Sequence, residues 1–457
     1  MPDIQLITSQ DALLNGHQPH PRLKPAKTWN IRVSPSVASR FLHTIQTVVT
    51  ADDYPPFTQT NSRNPIRSTL ASVTSAPPST TKTLINLGLG DPTHYPLHPP
   101  PPASITATRE ALDGQRHNGY VPGVGTSAAR KAVADYHQRW DNVQYHEDSI
   151  VLTHGVGQAL DLIFSVLFPP SHFERTNILL PRPVFAQYPT LLSNLGVEVR
   201  FYDCIEANNW EADLTAIERM CDEGTRAIMV TNPSNPCGTN FSASHLRAIL
   251  AIADRHKVPI IADEIYGHIT WSGPFIPLAS LSDAVPIITL SGLSKRFLLP
   301  GWRFGWIALH DPLHVADSVK EGMAVWANRF FGPSSVAQAA LPAILETPAE
   351  WHNEVLAKIK LNAEIMFEAI NRIPGLSCTP PAGALYMLVR IDSDAFPTSH
   401  GDVDFCTALY REEAVFVLPG ECFEASGYFR IVLASPADVM SEVGVRLAEF
   451  CNRHRRA

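Results

Sequence analysis

A lysine and an arginine eight positions apart frame the chemistry this sequence could do. Lys295 and Arg303 lie in Ser-Gly-Leu-Ser-Lys-Arg-Phe-Leu-Leu-Pro-Gly-Trp-Arg-Phe-Gly, residues 291–305. Apolar runs at 286–290 and 304–309 flank this stretch. Both have the length and the β-branched or aromatic content of buried strands. A lysine near a core is costly as a cation, and a lowered pKa is what makes its amine nucleophilic toward carbonyls. Taken alone, Lys295 reads as a solvated residue on a turn, because most lysines stay exposed.

Four other places in the chain reverse that reading. At Thr153-His154-Gly155-Val156-Gly157 an apolar run enters a glycine turn that opens a helix. Free backbone N–H groups and the positive helix end suit a phosphate there, although the motif by itself is better explained as a structural turn. Asn235 sits in Asn-Pro-Ser-Asn-Pro-Cys-Gly, residues 232–238, just past the strand pattern at 227–230. That is the end of a strand at which open α/β sheets place ligands, whereas the bland reading is turn chemistry only. Asp263 follows the apolar run 258–262, with Tyr266 three residues on. A carboxylate ending a buried strand needs a partner or a function, and a helix N-cap is the plain alternative. Arg430 interrupts the apolar strand pattern Tyr-Phe-Arg-Ile-Val, residues 428–432. An inward guanidinium requires an anion, either a protein carboxylate or a substrate's.

Together these residues describe one chemistry. A phosphate cradle, a carboxylate for a ring nitrogen, an Asn–Tyr pair for a ring hydroxyl and a Schiff-base lysine are what pyridoxal 5′-phosphate requires. Here the sequence resembles the class I/II (fold type I) pyridoxal-phosphate aminotransferases, in particular their tyrosine aminotransferase branch. Ser-Asn-Pro-Cys-Gly, Ala-Asp-Glu-Ile-Tyr-Gly, Ser-Gly-Leu-Ser-Lys-Arg and Pro-Gly-Trp-Arg stand in the order and approximate spacing of that family, and the likeness runs from Trp29 to the end.

The resemblance implies roles. Lys295 would carry the cofactor as a Schiff base and then serve as general base, while Asp263 would keep the pyridine nitrogen protonated. Tyr266 and Asn235 would hydrogen-bond the ring oxygen. Gly155, Val156 and Gly157, with Arg303, would hold the phosphate, and Phe185 would stack on the ring. Arg430, with the Gly90 backbone alongside, would bind the substrate α-carboxylate. Tyr120 would reach the phosphate of a neighbouring subunit, which implies a homodimer with shared sites. The expected reaction is a ping-pong transfer from an L-amino acid to a 2-oxo acid, with an aromatic donor such as tyrosine and 2-oxoglutarate as acceptor favoured. A lyase of the same fold, a C–S β-lyase or an aminocyclopropane-carboxylate synthase, is the runner-up. A non-catalytic binding protein on this fold is disfavoured because Lys295 is retained and no DNA-binding extension is seen. His154 and Gly292 depart from what relatives often carry, so Ser291 or Ser294 would replace a missing phosphate ligand.

The elements that must position these residues follow from pattern. Strand candidates at 150–153, 177–180, 197–202, 227–231, 258–262 and 287–290 alternate with helical segments such as 158–167 and 242–256. That alternation predicts an α/β fold: a three-layer α/β/α large domain with a mostly parallel sheet. Beyond about residue 309 the pattern becomes a smaller α+β unit, to which the N-terminal segment also contributes. The expected division is a loose tail at 1–28, an N-terminal segment with a long Ser/Pro-rich loop at 29–83, a large domain at 84–340 and a small one at 341–457. A helix is expected at 37–49, and the Ser/Pro-rich loop at 52–83 carries a short helix opening at Asn64-Pro65-Ile66-Arg67.

The chain of 457 residues, 45% hydrophobic and 18% charged, can bury a large core. A net charge of -8 with no basic stripe argues against nucleic acid. No apolar run has membrane length, and residues 1–27 lack a signal core. Seven dispersed cysteines suit a reducing compartment, so a cytoplasmic location and no metal site are expected.

Overall fold

In the computed structural model, residues 64–168, 176–397 and 399–456 are described. The expected tail at 1–28 and the helix at 37–49 lie outside them. Strand β1 (Ile85–Asn86) is followed by the strands of the large sheet: β2 (Ile150–Thr153), β3 (Asn177–Arg182), β4 (Glu198–Ile205), β5 (Glu211–Ala212), β6 (Thr225–Thr231), β7 (Ile260–Asp263), β8 (Ile287–Gly292) and β9 (Gly305–His310). Their order is β2-β9-β8-β7-β6-β3-β4-β5. The centre of the sheet is parallel, and β9 runs against both its neighbours.

The period-2 rule explains the three layers. In β7 and β8, Ile260 and Ile287 face one apolar cluster while Ile261, Ile288 and Leu290 face another. Helices Ser127–Asp141, Ala243–His256 and Ser335–Leu345 cover the first face. Helices Val156–Leu167, Gln187–Asn194 and Asp317–Ala327 cover the second. Each fully buried Ile or Leu contributes about 1.5–3 kcal/mol, so these strands cannot slip by one residue without exposing both faces. The rigidity matters because each strand end presents a chemical group.

The smaller unit has strands β10 (Leu376–Ser377), β11 (Tyr386–Ile391), β12 (Val415–Phe416), β13 (Leu418–Pro419) and β14 (Tyr428–Val432). Four of them form an antiparallel sheet, β10-β11-β14-β13. Helices Ala349–Asn371 and Ala437–His454 pack on it through Ile359, Met366, Val443 and Leu447. β1 pairs with β12 in parallel, and Ile85, Leu87 and Leu97 join this core. The segment around residues 85–97 packs with the smaller unit, because its apolar side chains are buried there. Helix Ser335–Leu345 packs on the large sheet.

The Ser/Pro-rich stretch is not loop throughout. Pro65–Val73 is a helix, with Asn64 Oδ1 accepting from Ile66 N at 3.0 Å and proline at its first position.

Candidate active site

Sheet topology brings the chemistry to one edge. Asp263 ends β7, Asn235 lies in the turn after β6, Lys295 in the turn after β8, and Gly155 in the turn after β2. These strands point the same way, so their carboxyl ends converge, as ligand sites of open α/β sheets do. Arg430 enters from β14 of the smaller sheet. A cavity of about 300 Å³ is lined by Lys295, Asp263, Tyr266, Asn235 and Arg430, with Gly90, Val156, Gly157, Phe185, Ser294 and Arg303. Ser294 thus faces the cavity and Ser291 does not.

Asp263 is 3% exposed. Its Oδ2 accepts from the Tyr188 hydroxyl at 2.6 Å and its Oδ1 from the Ile265 backbone N–H at 3.2 Å. Burial pushes its carboxyl up to about 6, while those two bonds and the Lys295 charge pull the other way. Tyr188 also pairs with Thr231 Oγ1 at 3.1 Å. The carboxylate is fixed in direction, and a cationic ring nitrogen beside it would restore its ionisation.

Lys295 is half-buried, donates from Nζ to the Gly90 carbonyl and lies 5.8 Å from the Tyr266 ring centroid. Tyr266 and Tyr386 share a hydroxyl–hydroxyl bond of 2.6 Å.

Arg430 is also 3% exposed. Its Nη1 donates to Asn235 Oδ1 at 2.8 Å and its Nη2 to the Gly88 carbonyl at 2.7 Å, and its Nε has no partner. Its guanidinium lies over the rings of Tyr386 at 4.3 Å and Phe423 at 4.7 Å. Among the described residues no carboxylate pairs with it. A buried cation held by neutral acceptors, with one N–H unused, is a site made for an anion that the described residues do not supply.

The glycine turn is a second such place. Gly155 has φ +80°, and a Cβ there would stand 2.7 Å from Arg303 Nη2. A Cβ on Gly157 would stand 2.9 Å from Gln187 Nε2. Arg303 is exposed and held by the Pro300 carbonyl at 3.0 Å and the His154 carbonyl at 3.3 Å. Helix Val156–Leu167 starts at this turn, so its free N–H groups and the guanidinium face the same space. Among the described residues no cluster of His, Cys, Asp or Glu could hold a metal.

Two predicted site residues do not line the cavity: Gly155, which sits in the turn just before Val156, and Tyr120. Tyr120 is 96% exposed and tilts against Phe331 with ring centroids 5.8 Å apart. Sequence reasoning missed Tyr188, Tyr386, Gln187 and Ile66, all of which line the cavity. Tyr188 lies in helix Gln187–Asn194 and Tyr386 in β11, and no local spacing links them to Asp263 or Tyr266.

An amine, a buried carboxylate, a buried arginine and a helix N-terminus thus meet at one edge of an α/β/α sheet. The chain belongs to the aminotransferase class I and II family, whose model matches residues 82–446. It is 40% identical to tyrosine aminotransferase of Mus musculus over 394 residues, 86% of each chain. It is 35% identical over 384 residues to an S-alkyl-thiohydroximate lyase of Arabidopsis thaliana, covering 82% of this chain and 81% of that one. Among solved structures, tyrosine aminotransferase from Leishmania infantum superposes with a TM-score of 0.82 at 31% identity, covering 87% of this chain and 97% of that one. The chain is a transaminase of this family. Among the described residues, no helix is long and apolar enough to cross a membrane.

Proposed function

We propose that this enzyme uses pyridoxal 5′-phosphate to move the amino group of an aromatic L-amino acid, tyrosine being the favoured donor, to a 2-oxo acid such as 2-oxoglutarate. The observation that carries the reading is the buried Arg430, which pairs with no carboxylate among the described residues, in the same cavity as Lys295 and Asp263. Lys295 would hold the aldehyde end of the cofactor. Asp263 would hold its ring nitrogen, Tyr266 and Asn235 its ring oxygen, and Phe185 one ring face. The turn at Gly155, Val156 and Gly157 would hold the phosphate with Arg303 and Ser294. When bound, the cofactor supplies an electron sink beside the Cα bonds of an amino acid.

The remaining work belongs to the chain. Arg430 binds the α-carboxylate and so fixes which Cα bond faces Lys295. Once the donor's amine has displaced it, the Lys295 amine would take the Cα proton in the first half-reaction and deliver a proton to the new Cα in the second, with the Gly90 carbonyl as its hydrogen-bond acceptor. Ile66 and Leu418 line the cavity near Arg430 and offer an apolar wall to the donor side chain. In this reading the enzyme is a homodimer with shared sites, in which Tyr120, exposed on this chain, would reach the phosphate of a second copy.

The test is a panel of amino donors with 2-oxoglutarate, following the cofactor's absorbance and the oxo-acid product. Conversion of the cofactor to its amine form by aromatic donors is expected. Failure of every donor overturns the transaminase reading. Steady pyruvate and ammonia without an acceptor would instead assign a lyase.

A further inference from the structure

Tyr386 has no part in the chemistry assigned above, yet it touches three pieces of it. Its hydroxyl meets that of Tyr266 at 2.6 Å, and its ring carries the Arg430 guanidinium at 4.3 Å. A Cβ on Gly90, whose carbonyl accepts from Lys295, would stand 2.6 Å from the Tyr386 hydroxyl. The residue is fully buried, and a Cβ on Gly238 would stand 2.1 Å from its backbone carbonyl. Phenol and backbone are both confined, so the Tyr266–Tyr386 bond joins the large sheet to the small one at the cavity wall.

Two phenols that share one bond have two protons, and only one lies between them. The charged and titratable groups that act on Tyr386 are Lys295, Arg430, Tyr266 and Asp263. Both cations also lie near Tyr266, but of the two phenols it is Tyr386 whose ring carries the Arg430 guanidinium, so its proton is repelled more strongly and the Tyr266 oxygen is left as the acceptor. Burial pushes Tyr386 up, but Lys295, Arg430 and the Tyr266 contact bring it below the usual tyrosine value. Tyr266 is pushed well above that value by burial and by Tyr386. The more acidic phenol is the better donor.

We propose that Tyr386 is a positioning residue: its hydroxyl donates to the Tyr266 oxygen, so that the Tyr266 proton is left to point into the cavity at the cofactor's ring oxygen. This rests on the pyridoxal-phosphate reading given above. Without that donation the Tyr266 hydroxyl loses the polarisation that its partner supplies and becomes a weaker donor toward the cavity.

The experiment is a pH titration of the absorbance of the lysine-bound cofactor in the loaded enzyme. A weaker Tyr266 donor leaves more negative charge on the ring oxygen, which holds the neighbouring proton more tightly. Tyr386→Phe keeps the ring under Arg430 and removes only the hydroxyl. Its titration midpoint is expected to rise by about 0.5–1 pH unit, the worth of one hydrogen bond. Binding of a simple carboxylate such as 3-phenylpropionate, which needs Arg430, is expected to stay within about threefold of the parent. Fluorotyrosine at position 386, a more acidic phenol of nearly the same shape, is expected to shift the midpoint the opposite way. In a Tyr266→Phe background, Tyr386→Phe is expected to add no shift. A midpoint unmoved by both changes at 386, or moved equally without Tyr266, overturns the inference. Failure of the parent to take up the cofactor at all would instead overturn the functional reading.

Discussion

Tyr188 donates its hydroxyl to Asp263 Oδ2 at 2.6 Å across 75 residues of sequence. The bond ties the helix after β3 to the end of β7. It holds a fully buried carboxyl that burial raises from 3.8 to about 6. Removing the donor leaves burial less opposed, so Tyr188→Phe is expected to raise that pKa further. In the loaded enzyme the acid limb of kcat/KM should move up by about one pH unit, with the alkaline limb unmoved. An acid limb that stays in place would falsify the role given to Tyr188.

The same carboxyl makes a prediction about the cofactor-free protein. Its folded pKa lies above its unfolded one, so the native state binds the proton more tightly. That contribution is fully present below pH 3.8 and is lost as pH rises through about 6. Loss of the whole shift is worth about 3 kcal/mol. Asp263→Asn has no proton to lose. Relative to the parent it should gain stability between pH 4.5 and 7.5, read by denaturant unfolding at both values. Its cofactor-dependent turnover should nevertheless fall by about 100-fold or more, because the ring nitrogen loses its anion.

Gly155 offers a test of the phosphate side. Its φ of +80° is strained for any side chain, and a Cβ would press on Arg303 Nη2. Gly155→Ala should weaken cofactor binding by about 10-fold or more, measured by fluorescence titration of the cofactor-free protein. Binding of a phosphate-free pyridoxal should change little. Equal loss for both ligands would point to general misfolding instead.

How much of this was legible in the sequence differs by residue. Lys295, Asp263, Asn235, Tyr266 and the 155–157 turn each follow a strand within a few residues, but position alone put only Asn235 at a ligand-binding sheet edge, and the family resemblance gathered the others into one site. Arg430 was legible as a charge inside an apolar strand, although its neutral partners, Asn235 and the Gly88 carbonyl, were not. Tyr188 and Tyr386 were silent, because a tyrosine in an amphipathic pattern looks like core until its hydroxyl has a named acceptor. The alternation of strands and helices predicted the three-layer sheet, whereas β1 pairing with β12 joins segments far apart in the chain, and no local pattern encodes such a contact.

Helix Pro65–Val73 presents Ile66 to the cavity, and Asn64 caps it. Asn64→Ala removes the side-chain acceptor of Ile66 N, at about 1 kcal/mol of helix stability. KM for an aromatic donor should rise about threefold to fivefold with kcat nearly unchanged, since the loss is in substrate binding alone. Asn64→Ser, which can still cap, should restore the parent value.

Arg430 separates binding from stability. Its guanidinium is desolvated, and burial lowers its pKa, yet it is bonded to an amide and a carbonyl rather than to an anion. The free protein therefore carries an uncompensated charge whose return comes only when a carboxylate arrives. Arg430→Met, similar in length and apolar, should leave the protein without donor at least as stable as the parent, by thermal unfolding. It should also bind cofactor normally, since no phosphate or ring contact is assigned to Arg430. Its kcat/KM for amino donor and for oxo acid alike should fall by about 2–5 kcal/mol, on the order of 30-fold to several thousandfold. Arg430→Lys should recover only part of that loss, because a point charge cannot reproduce the two-pronged contact. A large loss of stability in Arg430→Met, with substrate binding spared, would mean that the arginine serves the fold and that the carboxylate binds elsewhere.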